Sequence, residues 1–215
     1  MLAIISPHPD DDVICCGGVI HRNSNNIIII YVTDGSKGSP KSDERGKGLA
    51  LRRMNEAYSA LSLLGVKNKE NIIFLGNEDG SVERNFTKVY DQLLNILRRG
   101  DITEIYFPSP LDIHSDHSAT GKIILSFVKR GLIGRGKKMF MYTIHEPPIL
   151  SIRYPRYLVG LIMTKLTWSR VCLRVDDPKL KVEALKAHES QFWYLPDKLK
   201  SRAGEEYECF YYMTY

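Results

Sequence analysis

Leu2-Ala3-Ile4-Ile5-Ser6-Pro7-His8-Pro9-Asp10-Asp11-Asp12 opens the chain, and its reading decides the fold. A short apolar run of strand type stops at a Ser-Pro turn. One histidine and three carboxylates follow on a loop stiffened by Pro9. A buried strand that delivers His and Asp at its carboxyl end is how an α/β sheet presents a metal or catalytic site. Taken alone, the stretch has a plainer use, because an Asp before a helix is a good N-cap.

The neighbouring segments extend the pattern. Residues 13–22 read as a helix capped by Asp12, with Gly17-Gly18 letting it pack close to a sheet. Residues 27–33 form an uninterrupted β-branched apolar run, the mark of a strand covered on both faces and hence of a mainly parallel sheet. A turn-rich loop over 34–40 is predicted to be mobile. Helical spacing spans 45–64 and stops at Gly65, and a strand follows at 71–75 with a loop at 76–80. A helix at 86–99, a strand at 104–107, a loop at 108–116, a helix at 117–129 and a strand at 138–143 complete the alternation. This predicts one domain over residues 1–215, a three-layer α/β/α Rossmann-like fold with strand order 3-2-1-4-5 plus C-terminal strands. After His145 the alternation fades. Residues 146–168 read as an excursion over one face, 170–175 as a strand, 179–190 as a helix and 207–215 as an edge strand.

Composition narrows the class. The chain of 215 residues is 43% apolar and 26% charged, enough to bury a sizeable core without staples. Its 30 Lys and Arg exceed its 25 Asp and Glu, but they are scattered, so no nucleic-acid partner is expected. Cys15, Cys16, Cys172 and Cys209 include no C-x-x-C pair. They read as small buried hydrophobes in a reducing compartment rather than as a disulfide framework. No leader pattern precedes the first strand and no apolar run reaches spanning length, so a cytoplasmic protein without a stable membrane anchor is expected. Arg153, Arg156 and Lys165 among apolar residues add a membrane-surface reading.

Strand order carries the functional inference. Strands one and four flank the point where the order reverses, so the loops after them face one another across a crevice. The first loop holds His8, Asp10 and Asp11; the second holds His114, Asp116 and His117. A catalytic zinc site needs three His or carboxylate ligands and one open position, which His8, Asp11 and His117 would supply. Asp10 then stands beside the metal as a general base, and zinc lowers the pKa of a bound water to about 7. His114, as imidazolium, would stabilise the oxyanion and protonate the leaving amine, and Asp116 would orient an imidazole. Each loop alone would also serve as a helix cap; only their conjunction favours a metal. Gly17-Gly18 is not a dinucleotide fingerprint, since no G-x-G-x-x-G follows the first strand.

Ser6-Pro7-His8-Pro9-Asp10-Asp11 and His114-Ser115-Asp116-His117 together resemble the two signatures of the LmbE-like, or PIG-L, family of zinc-dependent de-N-acetylases. Val32-Thr33-Asp34-Gly35, Arg53-Met54-Asn55-Glu56, Phe74-Leu75-Gly76 and Lys186-Ala187-His188-Glu189-Ser190-Gln191 follow that family's pattern in order. The resemblance covers most of the chain. It implies zinc on His8, Asp11 and His117, with Asp10 as base and His114 as acid or oxyanion partner; a His-carboxylate site also accepts other divalent metals such as Fe²⁺. It also implies that Arg53 and Asp79 contact sugar hydroxyls. By their local sequence alone, Arg53 would equally pair with Glu56, and Asp79 would serve the turn beside Gly80. Asp12 departs from the family, which has Glu there.

The expected function is hydrolysis of the acetamide of an N-acetylglucosamine-type sugar or conjugate, a small-molecule partner. A zinc amidase acting on a non-sugar N-acyl metabolite, and a non-catalytic sugar- or nucleotide-binding module, are the alternatives. Homo-oligomerisation is compatible with the sequence.

Overall fold

A computed structural model describes residues 1–146 and 155–215. Five parallel strands form the first part of one sheet: β1 (Leu2–Ser6), β2 (Ile27–Thr33), β3 (Ile72–Asn77), β4 (Glu104–Pro108) and β5 (Lys138–Tyr142). Helices α1 (Asp11–Arg22), α2 (Lys47–Leu63), α3 (Phe86–Leu97) and α4 (Ser115–Arg130) alternate with them. Then come α5 (Pro155–Thr167), β6 (Ser169–Arg174), α6 (Pro178–Lys186), α7 (Glu189–Phe192), α8 (Asp197–Ala203) and β7 (Tyr207–Thr214). The strand order is β3-β2-β1-β4-β5-β7-β6, so the expected 3-2-1-4-5 core is present and two antiparallel strands extend it.

Every side chain of β1 and β2 is buried, as their continuous apolar runs require. Alternate residues serve opposite faces. Leu2, Ile4, Ile29 and Tyr31 pack into a core with α1, α2, α6 and α8, whereas Ala3, Ile5, Ile28 and Ile30 pack into a second core with α3 and α4. β1 lies inside the sheet and pairs in parallel with β4, so both loops of interest leave the carboxyl ends of neighbouring strands.

Four expectations need correction. The C-terminal strand is not an edge: β7 lies between β5 and β6, and β6 is the outer strand. The four cysteines are not all reduced. Cys172 and Cys209 lie opposite one another in the antiparallel β6–β7 register and form a disulfide, leaving Cys15 and Cys16 as buried thiols. The 34–40 loop is held rather than loose. Asp34 Oδ1 accepts the Ser36 and Asp79 amides, and Arg53 donates to the Gly35 carbonyl. Finally, Asp10 rather than Asp12 occupies the N-cap position of α1, and it makes no side-chain cap bond there. The expected excursion lies outside the described residues over 147–154, and its remainder is α5. Among the described residues no helix is long and apolar enough to cross a membrane.

Gly17-Gly18 does permit close packing, though against the C-terminal elements rather than the sheet alone. A Cβ on Gly17 would lie 2.7 Å from Lys181 Cγ, and one on Gly18 would lie 2.9 Å from Val175 Cγ2. The space they leave admits a fully buried ion pair, Lys181 Nζ to Glu208 at 2.8 Å.

Candidate metal centre

The loop after β1 is shaped by Ser6, whose hydroxyl donates to the His8 carbonyl at 2.7 Å and accepts the Asp12 amide at 3.1 Å. The coil brings His8, Asp10, Asp11 and Asp12 into the interior, each under one-tenth exposed. Asp10 is held at φ +142°, the one non-glycine with positive φ among the described residues. Such conformations cost about 1–3 kcal/mol and persist where the surroundings enforce them, commonly at functional sites. The facing loop runs from the end of β4 to α4, which begins at Ser115 and so puts Asp116 and His117 in its buried first turn.

Three potential ligand atoms meet between the loops. His8 Nδ1 is 3.2 Å from Asp11 Oδ2 and 3.1 Å from His117 Nε2, and the last two are 3.1 Å apart. Neighbouring ligands of a tetrahedral ion with bonds of about 2.0–2.1 Å sit about 3.3 Å apart, so this triangle has the span a metal requires. Hydrogen bonding explains it less well, because two imidazole nitrogens facing one another share at most one proton.

The outer nitrogens of both rings settle how the inner ones point. His117 Nδ1 meets Asp112 Oδ2 at 3.2 Å, and His8 Nε2 meets Asp116 Oδ2 at 3.2 Å and Asp79 Oδ1 at 3.3 Å. A carboxylate on the far nitrogen keeps its proton there and turns a lone pair toward the centre, the usual support of a metal-bound histidine. The carboxylates are themselves anchored. Asp116 accepts the Gly80 and Val82 amides at 2.7 and 3.0 Å, and Asp112 accepts the Ile144, His145 and His114 amides at 2.9–3.0 Å. Burial opposes charge on His117, yet Asp11 and Asp112 raise its pKa to about 9. Such a surplus of buried carboxylates attracts either protons or a cation.

Two other groupings bring ligand atoms within 4.8 Å of one another: His8 with His114 and His117, and His8 with Asp79 and Asp116. The second lies on the outer nitrogen of His8, where Asp116 already serves two amides. The triangle with Asp11 is the tighter set.

Asp10 stands apart from the triangle. Its Oδ2 is 3.2 Å from the Arg53 guanidinium, and burial raises its pKa to about 6 against the pull of Arg53. Arg53 is only 2% exposed and donates also to the Pro9 and Gly35 carbonyls, so it does not pair with Glu56 on the surface. Glu56 instead accepts from Ser190 and Arg52. Asp79 ties a distant loop rather than its own turn: it accepts the Lys37 amide of the 34–40 loop at 3.1 Å, while its other oxygen faces His8. Asp12 accepts the Tyr31 hydroxyl at 2.8 Å and the Asp10 amide at 3.3 Å, so the shorter arm still reaches partners. Burial and the adjacent His8 and His117 rings push His114 down to about 4. Both effects favour the uncharged ring over the imidazolium expected from sequence. Its Nδ1 is buried without a partner among the described residues.

The residues missed in the sequence are Asp112, Tyr31 and His145. Asp112 had a signal, lying two positions before His114 in the second cluster. Tyr31 and His145 had none, because each reaches the site only through sheet geometry.

These groups line a cavity of about 330 Å³, which His8, Asp10, Asp11, Arg53, Asp79 and His114 share with Ile14, Lys37, His145, Gln191 and Leu195. A cleft of about 480 Å³ adjoins it, with Ile144 and Leu199 common to both. A larger surface groove of about 530 Å³ beside α2 and α7 holds no imidazole, and its Arg52 is spent on Glu56 and Glu189.

Residues 3–128 match the model of the PIG-L family, described as GlcNAc-PI de-N-acetylase. The chain belongs to the PIG-L family. Both site loops lie inside the matched stretch. Over 201 residues the chain is 27% identical to a diacetylchitobiose deacetylase of Thermococcus kodakarensis, covering 87% of this chain and 68% of the relative. The fold matches N,N'-diacetylchitobiose deacetylase from Pyrococcus horikoshii with a TM-score of 0.73 at 24% identity, covering 99% of this chain and 83% of that one. It matches a conserved protein of Thermus thermophilus with a TM-score of 0.68 at 21% identity, covering 97% and 92%. Both solved structures share the fold of this chain.

Proposed function

We propose that this protein is a metal-dependent deacetylase that hydrolyses the acetamide of an N-acetylglucosamine-type sugar or conjugate. The observation that carries the reading is the triangle of His8, Asp11 and His117 beside a buried carboxylate, Asp10, that is free of it. Membership of the PIG-L family and the diacetylchitobiose deacetylase relative support the substrate class.

Zinc, or iron(II), on His8, Asp11 and His117 would act as a Lewis acid, polarising the carbonyl and acidifying water. Asp10, with its pKa raised to about 6, takes a proton from the attacking water at neutral pH. The water oxygen bonds to the acetyl carbon, the carbon–nitrogen bond breaks, and Asp10 returns the proton to the amine. Arg53 fixes the Asp10 carboxylate from behind. His114, lining the cavity, donates a hydrogen bond to the carbonyl oxygen as its charge builds. Arg53 and Asp79 both line the cavity. Arg53 donates to the Pro9 and Gly35 carbonyls and Asp79 accepts the Lys37 amide, so we assign them first to holding the loops. The adjoining cleft has room for the remainder of a conjugate.

Free primary amine is measured after incubation with N-acetylglucosamine, N,N'-diacetylchitobiose and N-acetylated amino acids. We expect release from the sugars, its loss on chelation, and its return with added zinc or iron(II). A metal-replete sample that frees amine only from the amino acids, or from nothing, would falsify the substrate class.

A further inference from the structure

Helix α5 carries an apolar stripe that is exposed among the described residues. Val159, Ile162, Met163 and Leu166 recur at helical spacing and are 62, 58, 54 and 76% exposed. A flank of the same helix is fastened down. A Cβ on Gly160 would lie 2.5 Å from Leu111 Cδ2, and Trp168, just past the helix, tilts over Phe107 with ring centroids 6.1 Å apart. Leu111 belongs to the loop that carries Asp112 and His114, and that loop also exposes Ile113. The stripe is therefore a surface fixed against β4 and the loop that follows it. Large contiguous apolar patches of this kind mark a contact with another phase or molecule.

Charge selects the occupant. Between Glu146 and Asp176 the sequence has five cations (Arg153, Arg156, Lys165, Arg170 and Arg174) and no Asp or Glu, in a chain with 25 acids. An apolar helix face in a cationic, acid-free segment complements the anionic headgroups and acyl boundary of a lipid surface. A second copy docked through the same stripe would set two such cationic segments against each other, which is repulsive. The 13 residues of α5 extend about 20 Å, too short to cross a hydrocarbon core of about 30 Å. The helix can lie in the interface but cannot span it.

We propose that α5 is a docking element that rests in the plane of an anionic bilayer, with Val159, Ile162, Met163 and Leu166 buried at the headgroup boundary. The proposal goes beyond the deacetylase reading, and it is tested without turnover. The full chain is sedimented with vesicles of phosphatidylcholine alone and of equal parts phosphatidylcholine and phosphatidylglycerol. Binding to the anionic vesicles is expected, stronger than to the neutral ones and weakened by added salt. An Ile162→Ser, Leu166→Ser double variant should bind about a hundredfold more weakly, roughly tenfold per lost side chain, with its thermal unfolding unchanged. The absence of sedimentation with anionic vesicles, or equal sedimentation of the variant, overturns the proposal. So does a dimer in light scattering that the double variant splits while vesicles capture neither protein. The salt series uses the unaltered chain, so it decides the matter even if the variant folds poorly.

Discussion

Asp10→Asn should lower turnover of an N-acetyl sugar about a thousandfold while the bound metal stays stoichiometric. The separation follows from geometry. Asp10 takes no part in the triangle of His8, Asp11 and His117, and its carboxylate instead meets Arg53 at 3.2 Å. Asn has the same shape and can still accept from Arg53, so the strained loop and its ligands persist. It cannot take up a proton, and the step that delivers one to the leaving amine is lost. Metal analysis and steady-state kinetics on one preparation check this. Turnover within tenfold of the unaltered protein would remove Asp10 from the role of base.

The largest effect on stability is expected at the adjoining cleft, which Lys181 and Glu208 line. Glu208→Gln should destabilise the fold by about 3–5 kcal/mol, read from denaturant unfolding. Lys181 and Glu208 are almost wholly enclosed, and their charges lie 2.8 Å apart. The Glu208 carboxylate also accepts the Gly18 and Val19 amides of α1, at 2.8 and 3.1 Å. Gln leaves the ammonium of Lys181 buried without a counter-charge, and that penalty dominates. Adding Lys181→Met to Glu208→Gln should restore much of the loss. Equal stability of Glu208→Gln and the unaltered protein would show that the pair is solvated in solution.

The centre of the fold was legible because its strands are unbroken apolar runs, and such runs have few places to go except the middle of a parallel sheet. Once β1 and β4 were neighbours, the meeting of His8 with His117 followed from topology rather than from local sequence. The C-terminal third was less legible. Nothing in the spacing of Cys172 and Cys209 reveals an antiparallel register, and only that register sets them opposite one another and turns an expected edge strand into an interior one. Arg53 shows the same limit at the site. Its i,i+3 relation to Glu56 predicts a surface pair, but tertiary contact with Asp10 and the 34–40 loop draws the guanidinium inward instead. Asp112 was within reach, because a metal-bound histidine needs a partner on its far nitrogen and the second loop held an unused carboxylate.

In the proposed reaction, His8, Asp11 and His117 hold one metal ion, the two rings through their inner nitrogens. Anomalous scattering from crystals grown with zinc tests it most directly. A single strong peak is expected within bonding distance of His8 Nδ1, Asp11 Oδ2 and His117 Nε2. A peak held instead by His8 Nε2, Asp79 and Asp116, or no peak in a crystal replete with zinc, would contradict it.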